Sequence, residues 1–277
     1  MKAVLLPSGE RVPACGQGTW FMGDDRAKRA EEIATLKLGI DLGLTLIDTA
    51  EMYGDGRAEQ LVGEAIAGRR DEVFLVSKVL PHNASRRGTV AACEKSLQRL
   101  RTDRIDLYLL HWRGNVPFAE TLEALVALQT TGKIRHYGVS NLDLADMREM
   151  WPLAGGAAIA VNQLLYNLAR RGIEWDLLPW LRARRVPVMA YSPLEQARLP
   201  GNAQLMAFAR KHGMSPAQAA LAWLLASDDV IVIPKCGNRR RLQENAGALD
   251  RLLTTAQLAE LDRVFPPPAG PRALEML

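Results

Sequence analysis

Short runs of consecutive apolar residues alternate along this chain with longer stretches of helical period. Residues 14–19, 44–48, 73–78, 105–110, 134–139, 159–163, 187–191 and 229–233 read as eight strands. From the second onward they begin about 25 to 40 residues apart, which leaves room for one helix between each pair. The runs VFLVSK and IDLYLLH are almost continuously apolar, as strands covered on both faces require. Over 86–100, Val90, Cys93, Leu97 and Leu100 share one helical face. Over 26–42, Ile33, Leu36 and Ile40 do the same, with Lys28, Arg29 and Glu32 expected in solvent. Eight strand-then-helix units predict a closed parallel (β/α)8 barrel, a TIM barrel, with residues 1–277 forming one domain. An open doubly wound sheet uses the same alternation, but no Gly-x-Gly-x-x-Gly follows an early strand. At the ends, VLLPSGERVPA predicts a short β-hairpin turning at Ser8 and Gly9 against the barrel bottom. FPPPAGPRALEML predicts an irregular tail running over the surface.

Composition narrows the classes of function. Hydrophobic residues make up 48%, enough for a large core. The formal charge of +4, from 35 basic and 31 acidic residues, is too small and too scattered for a nucleic-acid partner. The opening segment has no long apolar run, so neither a signal peptide nor a membrane span is expected. Three cysteines (Cys15, Cys93, Cys236) without close pairing, and four histidines without ligand spacing, predict no disulfide framework and no metal site. A reducing cytoplasm suits such a chain.

In a barrel of this kind chemistry gathers where strands end and loops begin at the C-terminal mouth. The second strand ends at Asp48 and leads to Tyr53; the third ends at Lys78; the fourth runs into His111. Later strands end at Ser140 and Asn141, at Gln163, at Tyr191, and at Pro234 and Lys235. Taken singly, a lysine after a strand is a solvated loop residue and a histidine there a structural one. Together, Asp48, Tyr53, Lys78 and His111 project into one mouth and compose one reaction. A tyrosine with a pKa of about 10 is a weak acid at neutral pH. An ammonium about 4 Å away would bring it toward the working range of a general acid. Asp48 supplies the counter-charge for the buried lysine, and His111 would hold a carbonyl oxygen for protonation.

At this point the chain resembles the aldo-keto reductase family. LTLIDTAEMYGDG, VFLVSK, IDLYLLHW, GKIRHYGVSN, AVNQLLYN, VPVMAYSPL and IVIPKCGNRRRLQEN stand in the family's order and spacing. The narrower likeness is to bacterial members that reduce small aldehydes and dicarbonyls such as methylglyoxal. The resemblance implies NADPH as coenzyme, a small-molecule carbonyl as substrate, and Asp48, Tyr53, Lys78 and His111 as the catalytic tetrad. It implies that Ser140, Asn141 and Gln163 bond the nicotinamide carboxamide and that Tyr191 stacks on its ring. Gly18, Thr19, Ser192 and Leu194 fall on coenzyme-facing positions. Lys235, Asn238 and Arg241 would meet the adenosine 2′-phosphate, with Glu244 and Asn245 near adenine. The residue types agree, since two cations and a helix start near 238 make an anion site; Arg239 and Arg240 are expected to be solvated. Cys236 stands where many members carry a Ser or Thr, and sulfur is a poor donor, so NADH use is less strongly excluded. Trp20 and Trp112 match pocket-lining positions. Short loops after His111 and Tyr191 predict an open pocket.

The expected activity is therefore hydride transfer from NADPH to a carbonyl by a cytoplasmic, monomeric enzyme. Two other activities fit parts of the same sequence. A lyase would use Lys78 or Lys235 as a Schiff-base nucleophile. A sensor or regulatory subunit would bind NADPH with little turnover.

Overall fold

The computed structural model describes residues 2–277. A hairpin comes first, β1 (Ala3–Leu5) antiparallel to β2 (Arg11–Pro13), with Val4 opposite Val12. Eight strands follow: β3 (Gln17–Gly18), β4 (Leu46–Asp48), β5 (Phe74–Val79), β6 (Ile105–Leu110), β7 (Ile134–Ser140), β8 (Asn162–Leu165), β9 (Val188–Tyr191) and β10 (Val230–Val232). All eight predicted strands are present, shifted or trimmed by up to three residues at an end. They pair in chain order and in parallel. Bridges Cys15–Val232 and Gly18–Lys235 then join β10 to the first of them. Across that seam the Gly16 and Gly18 N–H groups donate to the carbonyls of Val232 and Pro234 at 2.8 and 3.1 Å. The sheet is thus a closed barrel, and the open doubly wound alternative is ruled out. Gly18 is needed at the seam itself, because a Cβ there would stand 2.8 Å from the Ile233 carbonyl oxygen.

Every residue of β4, β5 and β6 is buried, which explains their unbroken apolar runs. Helix Arg86–Leu100 buries Cys93, Leu97 and Leu100 and is capped by the Ser85 hydroxyl, which accepts from the Gly88 N–H. Helix Arg29–Asp41 buries Leu36 and Ile40 as expected. Glu32 does not follow expectation. It is buried, and its carboxylate accepts the Gly23 N–H at 2.9 Å. Periodicity marked that helix face as polar, but the turn at Gly23 covers it.

The hairpin covers the N-terminal end of the barrel, as its position predicted. Beside it, Glu10 reaches Arg135 at 2.8 Å and His136 at 2.7 Å, both at the start of β7. Asp106, buried at the start of β6, anchors the same end. Its carboxylate accepts from the Leu75 N–H at 2.8 Å, from Arg70 at 2.7 Å and from Arg135 at 3.0 Å. Asp106→Ala would leave the buried Leu75 N–H without an acceptor and remove the buried carboxylate that Arg70 and Arg135 share, with Arg135 keeping Glu10. A loss of about 3–5 kcal/mol is expected, read as a lower urea midpoint. The Michaelis constant should stay unchanged, since the mouth lies at the other end.

Candidate active site

Two neighbouring strands and their loops bring three of the four predicted catalytic side chains together. Lys78, on β5, is fully buried, and its ammonium donates to Asp48 at 2.9 Å, to the Thr49 carbonyl at 2.9 Å and to the Tyr53 hydroxyl at 3.1 Å. Asp48 ends β4 and also accepts from the Gln163 side-chain amide at 2.8 Å. Its carbonyl takes the Thr19 hydroxyl at 2.9 Å, so that side chain is committed to the end of β4. Tyr53 opens a turn in which Gly54, Asp55 and Gly56 all have positive φ. Two glycines make such a run tolerable. Glu51 ties this turn to the next loop, accepting from the Leu80 N–H at 2.7 Å and from Asn83 at 3.0 Å.

His111 follows β6, held by its N–H on the Val79 carbonyl at 3.0 Å. Its ring meets that of Tyr53 edge-on, with centroids 5.9 Å apart, so the fourth predicted residue joins the group. Burial, helped by the Lys78 charge, pulls the imidazole down to about 2. The ring is neutral across the working range. Its Nδ1 is buried without a partner, and an orphaned N–H is the rarer and costlier case, which assigns the proton to Nε2.

Tyr53 corrects an expectation. Burial raises its pKa above the ordinary phenol value; Lys78 opposes this and Asp48 adds to it. The ammonium does not win because the phenol is desolvated and because Asp48 already offsets the lysine charge. Lys78 itself is pulled down by burial but pushed up further by Asp48 and Tyr53, and ends above its usual value. At neutral pH the pair is therefore a phenol beside an ammonium.

Around these groups lies a cavity of about 220 Å³ lined by Trp20, Tyr53, His111, Trp112, Asn141 and Tyr191, among others. The Tyr191 hydroxyl donates to Asn141 at 2.9 Å, and the Asn141 amide donates to the Ser140 hydroxyl at 3.1 Å and to the His111 carbonyl at 3.2 Å. Ser140 and Gln163 line the same wall. Both predicted pocket tryptophans are present, and Trp20 stacks on Phe21 at 4.3 Å. The tail is a second correction. It does not simply cross the surface, because Met276 and Leu277 return to line this cavity. The tail therefore fills part of the mouth that the sequence predicted to be open.

The loop after β9 holds Ser192 and Leu194. Ser192, Glu195, Gln196 and Ala197 all have positive φ, a strained course for non-glycine residues. Residues that sequence reasoning did not single out hold it. The Asn167 amide donates to the Ser192 carbonyl at 2.9 Å and to the Glu195 carboxylate at 2.8 Å, and Arg170 donates to Glu195 at 2.9 Å. Asn167 ends the AVNQLLYN segment that carries part of the family resemblance, its only signal in the sequence.

The basic segment lies beyond β10. Helix Arg239–Ala246 is capped by Asn238, whose side-chain oxygen accepts the Arg241 N–H at 3.2 Å. Arg239 is paired with Glu31 at 3.0 Å, in keeping with a structural rather than a binding role. Lys235 and Arg241 are exposed, and neither has a carboxylate partner among the described residues. Cys236 is buried, and its thiol donates to the Asn238 carbonyl at 3.0 Å. Asn245 is buried and Glu244 half-buried on the same helix.

The aldo/keto reductase family profile matches residues 14–265. The chain belongs to the aldo/keto reductase family. It is 53% identical to methylglyoxal reductase YeaE of Escherichia coli, over 100% of this chain and 99% of that protein. It is 34% identical to the glyoxal reductase of Bacillus subtilis, over 94% and 91% respectively. A solved aldo/keto reductase from Klebsiella pneumoniae, in complex with NADP and acetate, superposes with a TM-score of 0.97 at 50% identity, covering 100% of this chain and 99% of that one. As an aldo/keto reductase the chain is an oxidoreductase. Among the described residues no helix is long and apolar enough to cross a membrane, and no cluster of ligating side chains could hold a metal ion.

Proposed function

We propose that this aldo/keto reductase reduces small aldehydes and dicarbonyls to alcohols with NADPH, working as a cytoplasmic monomer whose whole chain is one barrel domain. One observation carries the proposal: the Tyr53 phenol lies 3.1 Å from the buried Lys78 ammonium, on the wall of a cavity of about 220 Å³. The residues present fit a nicotinamide coenzyme. The Tyr191 ring supplies a flat face beside the polar groups of Ser140, Asn141 and Gln163. Two exposed cations without carboxylate partners, Lys235 and Arg241, suit the 2′-phosphate. Gly18, Thr19, Ser192 and Leu194 would border the rest of the nucleotide, with Glu244 and Asn245 nearer the base. Asn238 is assigned to this set through its backbone, since its side chain caps the helix.

When bound, the coenzyme supplies a hydride to the carbonyl carbon. Tyr53 donates its proton to the carbonyl oxygen as negative charge builds there. The Lys78 ammonium stabilises the phenolate left behind, and Asp48 keeps that ammonium fixed and compensated. His111, neutral and protonated on Nε2, donates a hydrogen bond that orients the carbonyl. Trp20 and Trp112 exclude water and pack the substrate's apolar part. Relatives named for methylglyoxal and glyoxal reduction, and the modest cavity, favour small dicarbonyls. Lys78 is unsuited to Schiff-base chemistry, because it is charged and all its protons are engaged. Three cysteines without disulfide partners accord with a reducing compartment.

A panel of aldehydes, dicarbonyls and ketones, followed by NADPH consumption, tests this function. Turnover is expected to be fastest with small dicarbonyls. Tight NADPH binding with no consumption on any carbonyl would instead make the chain a sensor.

Two further outcomes are expected. Arg241→Ala should weaken NADPH binding by roughly 10- to 100-fold, from one lost charge-assisted contact of about 1.5–3 kcal/mol, and leave NADH nearly unchanged. Equal weakening of both coenzymes, read by calorimetry, would displace the phosphate site. The second concerns acid stability. The folded-state pKa of His111, about 2, lies below the ordinary imidazole value of 6.5, so the unfolded chain binds a proton first as pH falls. Its stabilising contribution is complete above that ordinary value and fades below it. His111→Phe should therefore lose less stability than the wild type between about pH 6.5 and about pH 4. Parallel urea midpoints over that window would contradict a buried neutral ring.

A further inference from the structure

Glu32 is a buried carboxylate that the reaction does not use. It is 3% exposed, accepts only the Gly23 N–H at 2.9 Å, and has no cation partner among the described residues. A buried charge left in that state is costly, so its surroundings bear on what it does. On its other side lies the loop leading into the basic helix. A Cβ placed on Gly237 would stand 3.4 Å from the Glu32 Oε1 and 3.8 Å from the Lys235 Nζ. The carboxylate and the ammonium are therefore separated by no more than the sum of those two distances. Next to it, Glu31 pairs with Arg239 at 3.0 Å, which fixes this helix against the basic one.

We propose that Glu32 limits the preference for NADPH over NADH by placing a fixed negative charge beside the 2′-phosphate position. This rests on the assignment of Lys235 and Arg241 to that phosphate. Glu32 offsets half the formal charge of those two cations. It is shielded from solvent on the Gly23 side, so its repulsion toward a phosphate is weakly screened. Cys236 acts in the same direction, because its thiol is turned to the Asn238 carbonyl at 3.0 Å and offers no strong donor. NADH has no 2′-phosphate and does not sense Glu32. The chain is thus built to accept both coenzymes, with NADPH favoured by less than two unopposed cations would allow.

Glu32→Gln removes the charge and keeps an oxygen for the Gly23 N–H. Calorimetric titration with NADP+ and NAD+, at several salt concentrations, should show NADP+ bound roughly tenfold more tightly, NAD+ unchanged, and a steeper salt dependence for NADP+ alone. Glu32→Asp, which withdraws the carboxylate by one methylene, should shift NADP+ the same way by less, and it carries the test if the glutamine variant fails to fold. Weaker NADP+ binding in either folded variant would make Glu32 a support that positions Lys235 and overturn the proposal. So would an equal change for the two coenzymes. Arg241→Ala in the same series separates the two levels. If it leaves the coenzyme contrast intact, the phosphate site itself is misplaced; if it abolishes the contrast while Glu32→Gln does nothing, only the role of Glu32 falls.

Discussion

Tyr53→Phe is expected to lose about 10²- to 10⁴-fold in turnover while binding NADPH almost as tightly as the wild type. The substitution removes one oxygen. The ring keeps its edge contact with His111, and Lys78 keeps its bonds to Asp48 and to the Thr49 carbonyl. What disappears is the acidic proton, together with the phenolate that the ammonium would stabilise. The raised pKa of Tyr53 sharpens the pH dependence. Reduction needs the phenol, so the wild-type rate should hold through neutrality and decline only in the alkaline range as that pKa is approached. Alcohol oxidation needs the phenolate and should rise over the same range. Turnover of Tyr53→Phe within a few-fold of the wild type would remove the tyrosine from the reaction.

Lys78→Met should affect both rate and stability. Without the ammonium, the buried Asp48 carboxylate keeps only the Gln163 amide, and removing one member of a buried ion pair costs about 3–5 kcal/mol. The same carboxylate then acts on Tyr53 unopposed and raises its pKa further, since the Lys78 contribution that lowered it is gone. Turnover is expected to fall by about 10²-fold or more, with the alkaline limb of reduction displaced upward. Asp48→Asn in the Lys78→Met background separates the two effects. It removes the uncompensated charge and should recover much of the stability, but little of the rate. Recovery of rate together with stability would mean that Lys78 serves the fold and not the proton transfer.

Much of the barrel was legible because parallel strands buried on both faces leave unbroken apolar runs, and β5 and β6 fall within two residues of their predicted ends. The four central residues were legible only jointly, because Asp48, Lys78 and His111 close three neighbouring buried strands, Tyr53 follows in the loop after the first, and together they compose one reaction. What escaped depends on contacts between distant segments. Helical period placed Glu32 in solvent, and only the fold brings Gly23 and Gly237 over it. Three consecutive prolines, Pro266–Pro268, announce an irregular tail but not that Met276 and Leu277 return to the mouth. The sign of the Tyr53 shift was missed because charge proximity can be read from a motif and burial cannot. Asn167 and Glu195 escaped because their task is to hold a strained loop, and that strain has no sequence pattern of its own.

The central claim is hydride delivery to a carbonyl carbon with the proton supplied by Tyr53. It is tested most directly by mass spectrometry of the alcohol formed from methylglyoxal and NADPH deuterated at C4 of the nicotinamide. With label on the transferred face, the wild type should place one deuterium on the new carbinol carbon for each coenzyme oxidised, and Tyr53→Phe should form almost no product. Product without deuterium from either C4 stereoisomer, or coenzyme retained unoxidised beside every carbonyl offered, would contradict the account.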